Sequence, residues 1–375
     1  MNLAAAYRHF VVAILLGVWA IVPAAHAVDE ATAKQYQQMV DKAIAFLGTK
    51  GQAEDGSFNA QAGPAVTALV TVGILRQGRS PEDPVVAKAL KYIEKFVRED
   101  GGVYTEGTHN KNYETCIAIV CFQEANRNGK YNALLAKADK YVKTNQWGAT
   151  HEREADPSDV KYGGTGYGRT NDRPDLSNTS FFMDAMKAAG TAADDEAMKR
   201  ALVFVSRCQN LEGPHNTTPF AKKLNDGGFY YTPAAGGNSQ AGNDEATGGL
   251  RSYGSMTYAG LKSMIYAGLK PDDPRMQAAI TWLKKHYDVN NNPGLGNQGL
   301  YYYYQTFGKA LAALGQDTFV DEGGTSHDWR KDLIDALAKR QKADGSWSNE
   351  NQRWMESDSN LATGYALLAL SYCKK

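Results

Sequence analysis

Two kinds of helix alternate along this chain, and glycine-rich turns followed by an aromatic residue separate them. Six such turns occur, at residues 55–58, 101–104, 163–167, 226–229, 294–301 and 344–347. Before each turn, apolar residues recur every three or four positions, which predicts a helix with one buried face. The helix after each turn carries much less charge. The pattern therefore indicates six repeats of one helical hairpin.

The second repeat illustrates the contrast between the two helices. Its apolar stripe consists of Val86, Ala89, Leu90, Ile93, Phe96 and Val97, with lysine, glutamate and arginine on the opposite face. By comparison, residues 65–75, 116–122 and 361–373 contain no charged side chain. A helix that is apolar all round must be buried on all sides.

Alternation of half-charged and uncharged helices predicts an all-α fold, a closed α/α toroid of six helical hairpins. The uncharged helices form the inner ring, and the amphipathic helices surround them with their charged faces in water. An open superhelix is the alternative, but it needs polar end caps that neither end of the chain supplies. We expect the turn aromatics to wedge between hairpins, with glycine permitting the sharp reversal. The turns lack the Gly-Lys-Ser/Thr sequence of a phosphate loop.

Composition excludes several classes of protein. The chain has 375 residues, of which 43% are hydrophobic and 22% charged, so it can bury a large core. Lysine plus arginine equals aspartate plus glutamate at 41 each. A net charge of zero gives no electrostatic reason to expect nucleic acid as a partner.

The first 27 residues have the features of a secretory signal. Basic Arg8 precedes an apolar run at 10–22, and the small residues at 24–27 form a cleavage site after Ala27. An uncleaved anchor is the alternative, but the run is shorter than the roughly 20 residues that a spanning helix needs. We therefore expect an exported protein, periplasmic or secreted and not integral to the membrane, with one toroid domain at 28–375.

The four cysteines, Cys116, Cys121, Cys208 and Cys373, lie in predicted helices. We expect them to be small buried hydrophobic residues, although an exported protein permits disulfides. No Cys or His spacing matches a zinc site. We predict no metal and no cofactor.

Residues 341–347, Gln-Lys-Ala-Asp-Gly-Ser-Trp, resemble the repeat of the squalene-hopene cyclase, oxidosqualene cyclase and protein prenyltransferase β-subunit superfamily. Residues 175–179 and 252–261 resemble an exported bacterial branch of that superfamily with the prenyltransferase/squalene oxidase repeat. The resemblance spans the mature chain and implies the α/α toroid fold. It also implies a terpenoid cyclase-like protein. A shared fold does not determine the activity, however, because activity depends on the residues of the functional site.

The motifs that give well-studied members their activity are missing. Type II cyclases carry an acidic D-x-D-D motif before Thr-Ala, but residues 359–362 here are Ser-Asn-Leu-Ala, and Asp358 is one position out of register. The zinc-dependent members place Asp and Cys on the helix that here carries Ser252, Tyr253 and Ser255. The Gly-Cys-Gly-Glu-Gln segment of thioester proteins is also absent.

Three carboxylates are the candidate catalytic residues. In a toroid the ligand site is the central hole, reached from the end where the inner helices begin. Glu114, Asp175 and Asp358 are predicted at those helix starts. Glu114 opens an apolar helix, where burial could give a carboxylic acid a raised pKa. The alternative for all three is an ordinary role in stabilising helix N-termini, Asp175 and Asp358 as N-caps.

Four further residues, Asn178, Tyr253, Tyr302 and Tyr303, are the candidate ligand-binding residues. Tyrosine rings facing a cavity could stabilise a carbocation or stack on sugars, whereas the alternative is that they fill gaps between repeats. Two long inserts, at 151–173 and 234–249, are predicted to fold over one end of the toroid or to form a surface for a protein partner.

Three functions agree with these features. The first is an exported terpenoid cyclase-like or prenyltransferase-like protein that holds a hydrophobic or isoprenoid molecule. The second is a carbohydrate-active toroid, such as a polysaccharide lyase or glycosidase, which needs a pair of carboxylates across an aromatic groove that binds a glycan. The third is a non-catalytic binding or scaffold protein, which predicts a filled central hole.

Overall fold

A computed structural model describes residues 30–168 and 173–374 of the chain. The inner helices are α2 (Pro64–Arg76), α4 (Lys111–Glu124), α6 (Leu176–Ala188), α9 (Gly254–Tyr266), α11 (Leu300–Leu314) and α13 (Ser359–Ser371). The outer helices are α1 (Glu30–Phe46), α3 (Pro84–Glu94), α5 (Asn132–Thr144), α7 (Glu196–Arg207), α10 (Pro274–Lys285) and α12 (Trp329–Ala338). The predicted signal peptide lies outside the described residues.

Little regular structure interrupts this alternation. A short helix, α8 (Ala221–Leu224), lies in the connection between α7 and α9. The strands β1 (Phe319–Val320) and β2 (Ser326–His327) pair antiparallel in the connection between α11 and α12. None of the helices in the described parts of the chain combines the length and apolar character that crossing a bilayer requires.

The inner helices form a complete circle. Each inner helix packs against the next one along the chain, and α13 packs against α2. The contact between these two helices is close because glycines face it. A Cβ atom at Gly364 would lie 2.9 Å from side-chain carbons of Leu69 and Val70. Six hairpins therefore close on themselves, as the alternation of helix types predicts.

Burial follows the two predicted helix types. Every residue from Pro64 to Leu75 of α2 is buried. In α3 only one face is buried, consisting of Val86, Ala89, Leu90, Tyr92 and Ile93. The helix ends at Glu94, earlier than the apolar stripe predicts. Val97 lies beyond it, is exposed, and forms an isolated bridge with Val103.

Four glutamines hold the turns against neighbouring repeats. Each of them donates two hydrogen bonds from its side-chain nitrogen, one to the carbonyl of a turn glycine and one to a backbone carbonyl of an outer helix. They are Gln52, Gln146, Gln209 and Gln341. The outer helix belongs to the following repeat, and Gln341 reaches Met39 in α1. The last repeat is therefore tied to the first by the same bond that joins consecutive repeats.

In five of the six turns, an inner-helix threonine fixes the residue that follows the turn glycine. The hydroxyls of Thr67, Thr115, Thr179, Thr257 and Thr363 accept a hydrogen bond from the backbone N–H of Phe58, Val103, Thr165, Phe229 and Trp347, respectively. Phe58, Phe229 and Trp347 are buried, as expected of the turn aromatics. In the second repeat Val103 occupies this position, but Tyr104 beside it is still buried and stacks on Tyr141 of α5 in the next repeat, with ring centroids 5.7 Å apart. In the third repeat the expectation was wrong, because Thr165 occupies this position and Tyr167 is exposed.

Candidate functional site

The central hole contains a cavity at each end. The upper cavity, about 690 Å³, lies where the inner helices begin, which is the end predicted for the ligand site. The lower cavity, about 650 Å³, lies where they end. Both volumes fall within the range of small-molecule sites in proteins.

Four aromatic rings from four inner helices form one wall of the upper cavity, here called the aromatic wall. They are Tyr113, Phe181, Tyr302 and Tyr365. Ring centroids lie 5.2 Å apart for Tyr113 and Phe181, 6.1 Å for Phe181 and Tyr302, and 5.9 Å for Tyr302 and Tyr365. The four rings thus form one connected aromatic cluster on the cavity lining, in which the Tyr113–Phe181 and Tyr302–Tyr365 pairs meet edge to face.

Two buried glutamates also line the upper cavity. Glu114, which is 3% exposed, accepts hydrogen bonds from the Thr105 N–H at 2.8 Å and the Thr108 hydroxyl at 2.7 Å. Burial raises the pKa of Glu114, and these hydrogen bonds offset part of the effect. Glu356 accepts from the Tyr302 N–H and from Asn349, and burial raises its pKa as well. Both carboxyl groups thus retain a proton to higher pH than an exposed glutamate.

The charge on the lining of the upper cavity has one sign. A third glutamate, Glu106, lies on it, and no lysine, arginine or histidine does among the residues that the structure describes. The remaining polar lining is neutral and includes Gln61, Asn110, Ser177 and Ser255. Such a cavity suits a neutral ligand and disfavours an anionic one.

Of the predicted site residues, Glu114, Tyr253 and Tyr302 line the upper cavity. The Tyr302 hydroxyl lies 3.1 Å from the Ser177 hydroxyl. Tyr253 is almost fully buried, and burial raises the pKa of its hydroxyl. The sequence thus placed one carboxylate and two tyrosines on the cavity correctly, while their roles stay predictions.

Asp175, Asn178 and Asp358 do not line the cavity. Asp175 caps α6 by accepting hydrogen bonds from the backbone N–H and the side chain of Asn178. Burial raises the pKa of Asp175 to about 6. Asp358 caps α13 through the N–H groups of Asn360 and Leu361, and it also accepts from Asn59. The geometry is therefore that of helix caps, which was the alternative for both aspartates.

Tyr303 also lies away from the cavity, contrary to the expectation. Its ring is buried against Tyr258 and Phe307, and its hydroxyl donates to the carbonyl of Asp288. The reason is helical geometry, since neighbouring residues differ by about 100° in direction around a helix. When Tyr302 points into the hole, Tyr303 must point elsewhere.

The mouth of the upper cavity has an apolar rim. Tyr167, Trp354 and Met355 line it and are 38%, 42% and 45% exposed. Trp354 and Met355 both have left-handed backbone angles, with φ of 54° and 62°. Such strain in non-glycine residues is uncommon and concentrates at functional sites. Sequence reasoning missed this segment.

Both long inserts reach the same mouth. Tyr167 in the first insert and Gln240 in the second insert line the cavity. Gln240 also accepts a hydrogen bond from Arg353, which stacks over Trp354 with 4.4 Å between the guanidinium carbon and the ring centroid. The described parts of the inserts therefore help to form the opening, while their predicted contact with a protein partner stays a prediction.

An ion cluster lies on the other side of the aromatic wall from the upper cavity. Phe181 and Tyr302 also line a small void that Asp184, Lys262 and Lys309 share. Asp184 accepts hydrogen bonds from Lys262 at 2.6 Å and from Lys309 at 2.5 Å. Burial lowers the pKa of Lys262 to about 8, and the two ammonium groups outweigh burial to lower the pKa of Asp184. This Asp184 cluster joins α6, α9 and α11 across the hole.

The four cysteines are buried free thiols, as expected from the sequence. Burial raises the pKa of Cys116 and of Cys208. In the part of the chain that the structure describes, no group of three or more His, Cys, Asp and Glu side chains is arranged to hold a metal ion.

Comparison with known proteins agrees with this fold. The structure superposes on a variant of the type II terpene cyclase MstE from Scytonema bound to its product merosterolic acid A, with a TM-score of 0.55 and 13% identity over 92% of this chain and 99% of that one. The apo MstE structure gives 0.52 at 13% identity, over 90% and 98%. A protein from Actinoplanes gives 0.51 at 13% identity, over 90% and 99%. At such identity the likeness shows the fold alone.

A search of curated proteins found no match. The model of the squalene-hopene cyclase C-terminal domain matches residues 113–374, which include four of the six inner helices, nearly all of α4 and all four residues of the aromatic wall. This match extends over well more than half of the chain and agrees with the repeat, the closed ring and the superposed cyclases. The chain belongs to the squalene-hopene cyclase C-terminal domain family.

Proposed function

We propose that this protein binds a neutral isoprenoid in the upper cavity and acts on it as a terpenoid cyclase does. The aromatic wall is the observation that carries the proposal. Its four rings offer π faces that pack against a polyene chain and can stabilise positive charge developing on it. One of the superposed structures, a variant of MstE, holds a geranylgeranyl dihydroxybenzoate substrate, which supports an isoprenoid chain as the ligand.

The charges in the cavity narrow the substrate class. Glu106, Glu114 and Glu356 line the upper cavity without a cationic side chain beside them among the described lining residues. A diphosphate group would find no lysine or arginine among the described lining residues to bind it. We therefore assign a hydrocarbon or an uncharged alcohol, not a prenyl diphosphate, to this cavity.

Glu114 is the acid that the proposal assigns to the reaction. Burial raises its pKa, so the carboxyl group keeps its proton to higher pH than an exposed glutamate, and it lies beside Tyr113 of the aromatic wall. The proton passes from a Glu114 oxygen to one alkene carbon and leaves the positive charge on the other. The π electrons of a second alkene then close a ring, and loss of a proton to a carboxylate makes the net reaction an isomerisation.

Binding is tested by displacement of labelled geranylgeraniol. We expect Phe181→Ala to weaken binding about tenfold, since an aromatic contact is worth roughly 1 kcal/mol beyond its area. The matched control is Phe96→Ala, because Phe96 is also half-buried but lies next to an outer helix. Geranylgeranyl diphosphate is expected to displace the label at least tenfold less efficiently than unlabelled alcohol. Equal displacement, or equal effects of the two alanine variants, would contradict the proposal.

Catalysis is tested by incubation with geranylgeraniol or squalene and mass spectrometry of the products. We expect cyclised isomers from the wild type, and none from Glu114→Gln although that variant still binds the alcohol. Product formation by Glu114→Gln would exclude Glu114 as the acid.

A glycan is the second candidate, because two buried glutamates line a cavity that is rich in aromatic rings. The pair that the sequence indicated, Glu114 with Asp175 or Asp358, does not meet at the cavity, and Glu356 is the second carboxylate that does. Displacement of geranylgeraniol by oligosaccharides, but not by isoprenoids, would favour this function. The scaffold alternative predicts a filled hole, so the upper cavity supports ligand binding over it.

A further inference from the structure

The lower cavity differs from the upper cavity in charge. Arg76, Lys187 and Lys309 line it, and Lys262 lies next to it in the Asp184 cluster. The two tyrosines on its lining, Tyr266 and Tyr372, also present hydroxyl groups. Cationic and hydroxyl donors thus converge on a space of about 650 Å³.

Carboxylates compensate only part of this positive charge. Arg76 pairs with Glu124 at 2.6 Å. Asp184 is shared by Lys262 and Lys309, which leaves one positive charge in excess. Lys187 forms no ion pair within the described residues, and its ammonium group lies 6.0 Å from the centroid of the Tyr266 ring. Two positive charges therefore remain without a carboxylate partner.

The helix dipole accounts for the positions of only two of these four cationic residues. Arg76 and Lys187 lie in the last turns of α2 and α6, where a cation stabilises the carbonyl end of a helix. Lys262 and Lys309 lie in the interiors of α9 and α11, where the dipole has little effect. Burying two lysines on one aspartate is costly unless another anion balances the charge.

We propose that the lower cavity is a second binding site and that it takes a multivalent oxyanion, a phosphate or diphosphate group. Lys309 and Arg76 bind the anion from the ring interior, and Lys187 closes on it from the exposed edge. Phosphate oxygens match these donors because charge-assisted hydrogen bonds from ammonium and guanidinium groups are the strong ones. The site is separate from the isoprenoid cavity, since the Asp184 cluster and the aromatic wall lie between them.

Calorimetric titration with inorganic diphosphate tests this site. We expect saturable binding that weakens as salt is raised, about tenfold weaker binding in Lys187→Gln, and unchanged affinity in Lys199→Gln. Lys199 is the matched control, because it is an exposed lysine on outer helix α7. Lys187 is exposed, so its variant is expected to fold, and its melting temperature without ligand confirms this.

Two further arms identify the source of the anion and separate this site from the upper cavity. Titration with inorganic phosphate shows whether a single phosphate group is enough for binding. Titration with geranylgeranyl diphosphate shows whether the site accepts a diphosphate that is attached to an isoprenoid chain. We expect Phe181→Ala to leave inorganic diphosphate binding unchanged. Absence of diphosphate binding, equal losses in the two lysine variants, or displacement of diphosphate by geranylgeraniol would each overturn the proposal.

Discussion

Asp184→Asn is expected to lower the free energy of unfolding by about 3–5 kcal/mol, the loss typical of breaking a buried ion pair. The variant removes the only carboxylate that Lys262 and Lys309 contact in the described structure. Two ammonium groups then remain in the centre of the ring without a counter-charge. Chemical denaturation followed by circular dichroism measures the loss.

Two controls separate charge from packing at this position. Asp335→Asn removes a carboxylate that pairs with Lys331 on the surface, and we expect it to cost about 1 kcal/mol or less. Adding Lys262→Met and Lys309→Met to Asp184→Asn is expected to restore most of the stability, since apolar replacements of buried ion clusters are often neutral. A loss for Asp184→Asn as small as for Asp335→Asn would contradict the described cluster.

Gly163→Ala is expected to cost about 3 kcal/mol or more, because it combines backbone strain with overpacking. Gly163 has a φ of 82°, and a Cβ atom there would overlap with the backbone carbonyl of Arg200 in α7. Glycines in three other turns, Gly56, Gly101 and Gly227, approach an outer helix of the next repeat in the same way, and Gly345 approaches Lys42 of the first repeat. The substitution therefore pushes neighbouring repeats apart.

Gly190→Ala is the matched control for this substitution. Gly190 has nearly the same φ, 84°, but a Cβ atom there would meet nothing within 4 Å. We expect only the conformational cost of a left-handed alanine, about 1 kcal/mol. Equal losses in the two variants, measured by denaturation, would show that the turn does not pack against α7 as described.

Most of the fold could be predicted from the sequence, because the positions of charged residues indicate which face of each helix is exposed to solvent. Residues 65–75 and 361–373 carry no charge, and both segments lie in the inner ring. The turns differ from one another more than the sequence pattern indicates. Val103 and Thr165 take the position expected for an aromatic residue, because the backbone hydrogen bond to the inner threonine needs no aromatic side chain.

The sequence predicts only some of the residues that line the upper cavity. Glu114 and Tyr302 could be predicted because they lie in the first turns of inner helices. Phe181 lies deeper in α6 and looks like any core residue, so only the ring geometry reveals that it faces the hole. Glu356 reaches the cavity from a loop with no helical period.

The Asp184 cluster was missed for a related reason. Its three members come from three different repeats, and 125 positions separate Asp184 from Lys309. Nothing local in the sequence indicates that a lysine of α9 and another of α11 meet the same aspartate. Charged residues from different repeats meet in the centre of the ring, and only the three-dimensional structure shows which of them are in contact.

A crystal structure of the protein soaked with geranylgeraniol tests the central claim most directly. We expect density for the chain in the upper cavity, in contact with Phe181 and Tyr302 and with its hydroxyl away from the aromatic wall. Density in the lower cavity or on the outer surface, with the upper cavity empty at saturating alcohol, would contradict it.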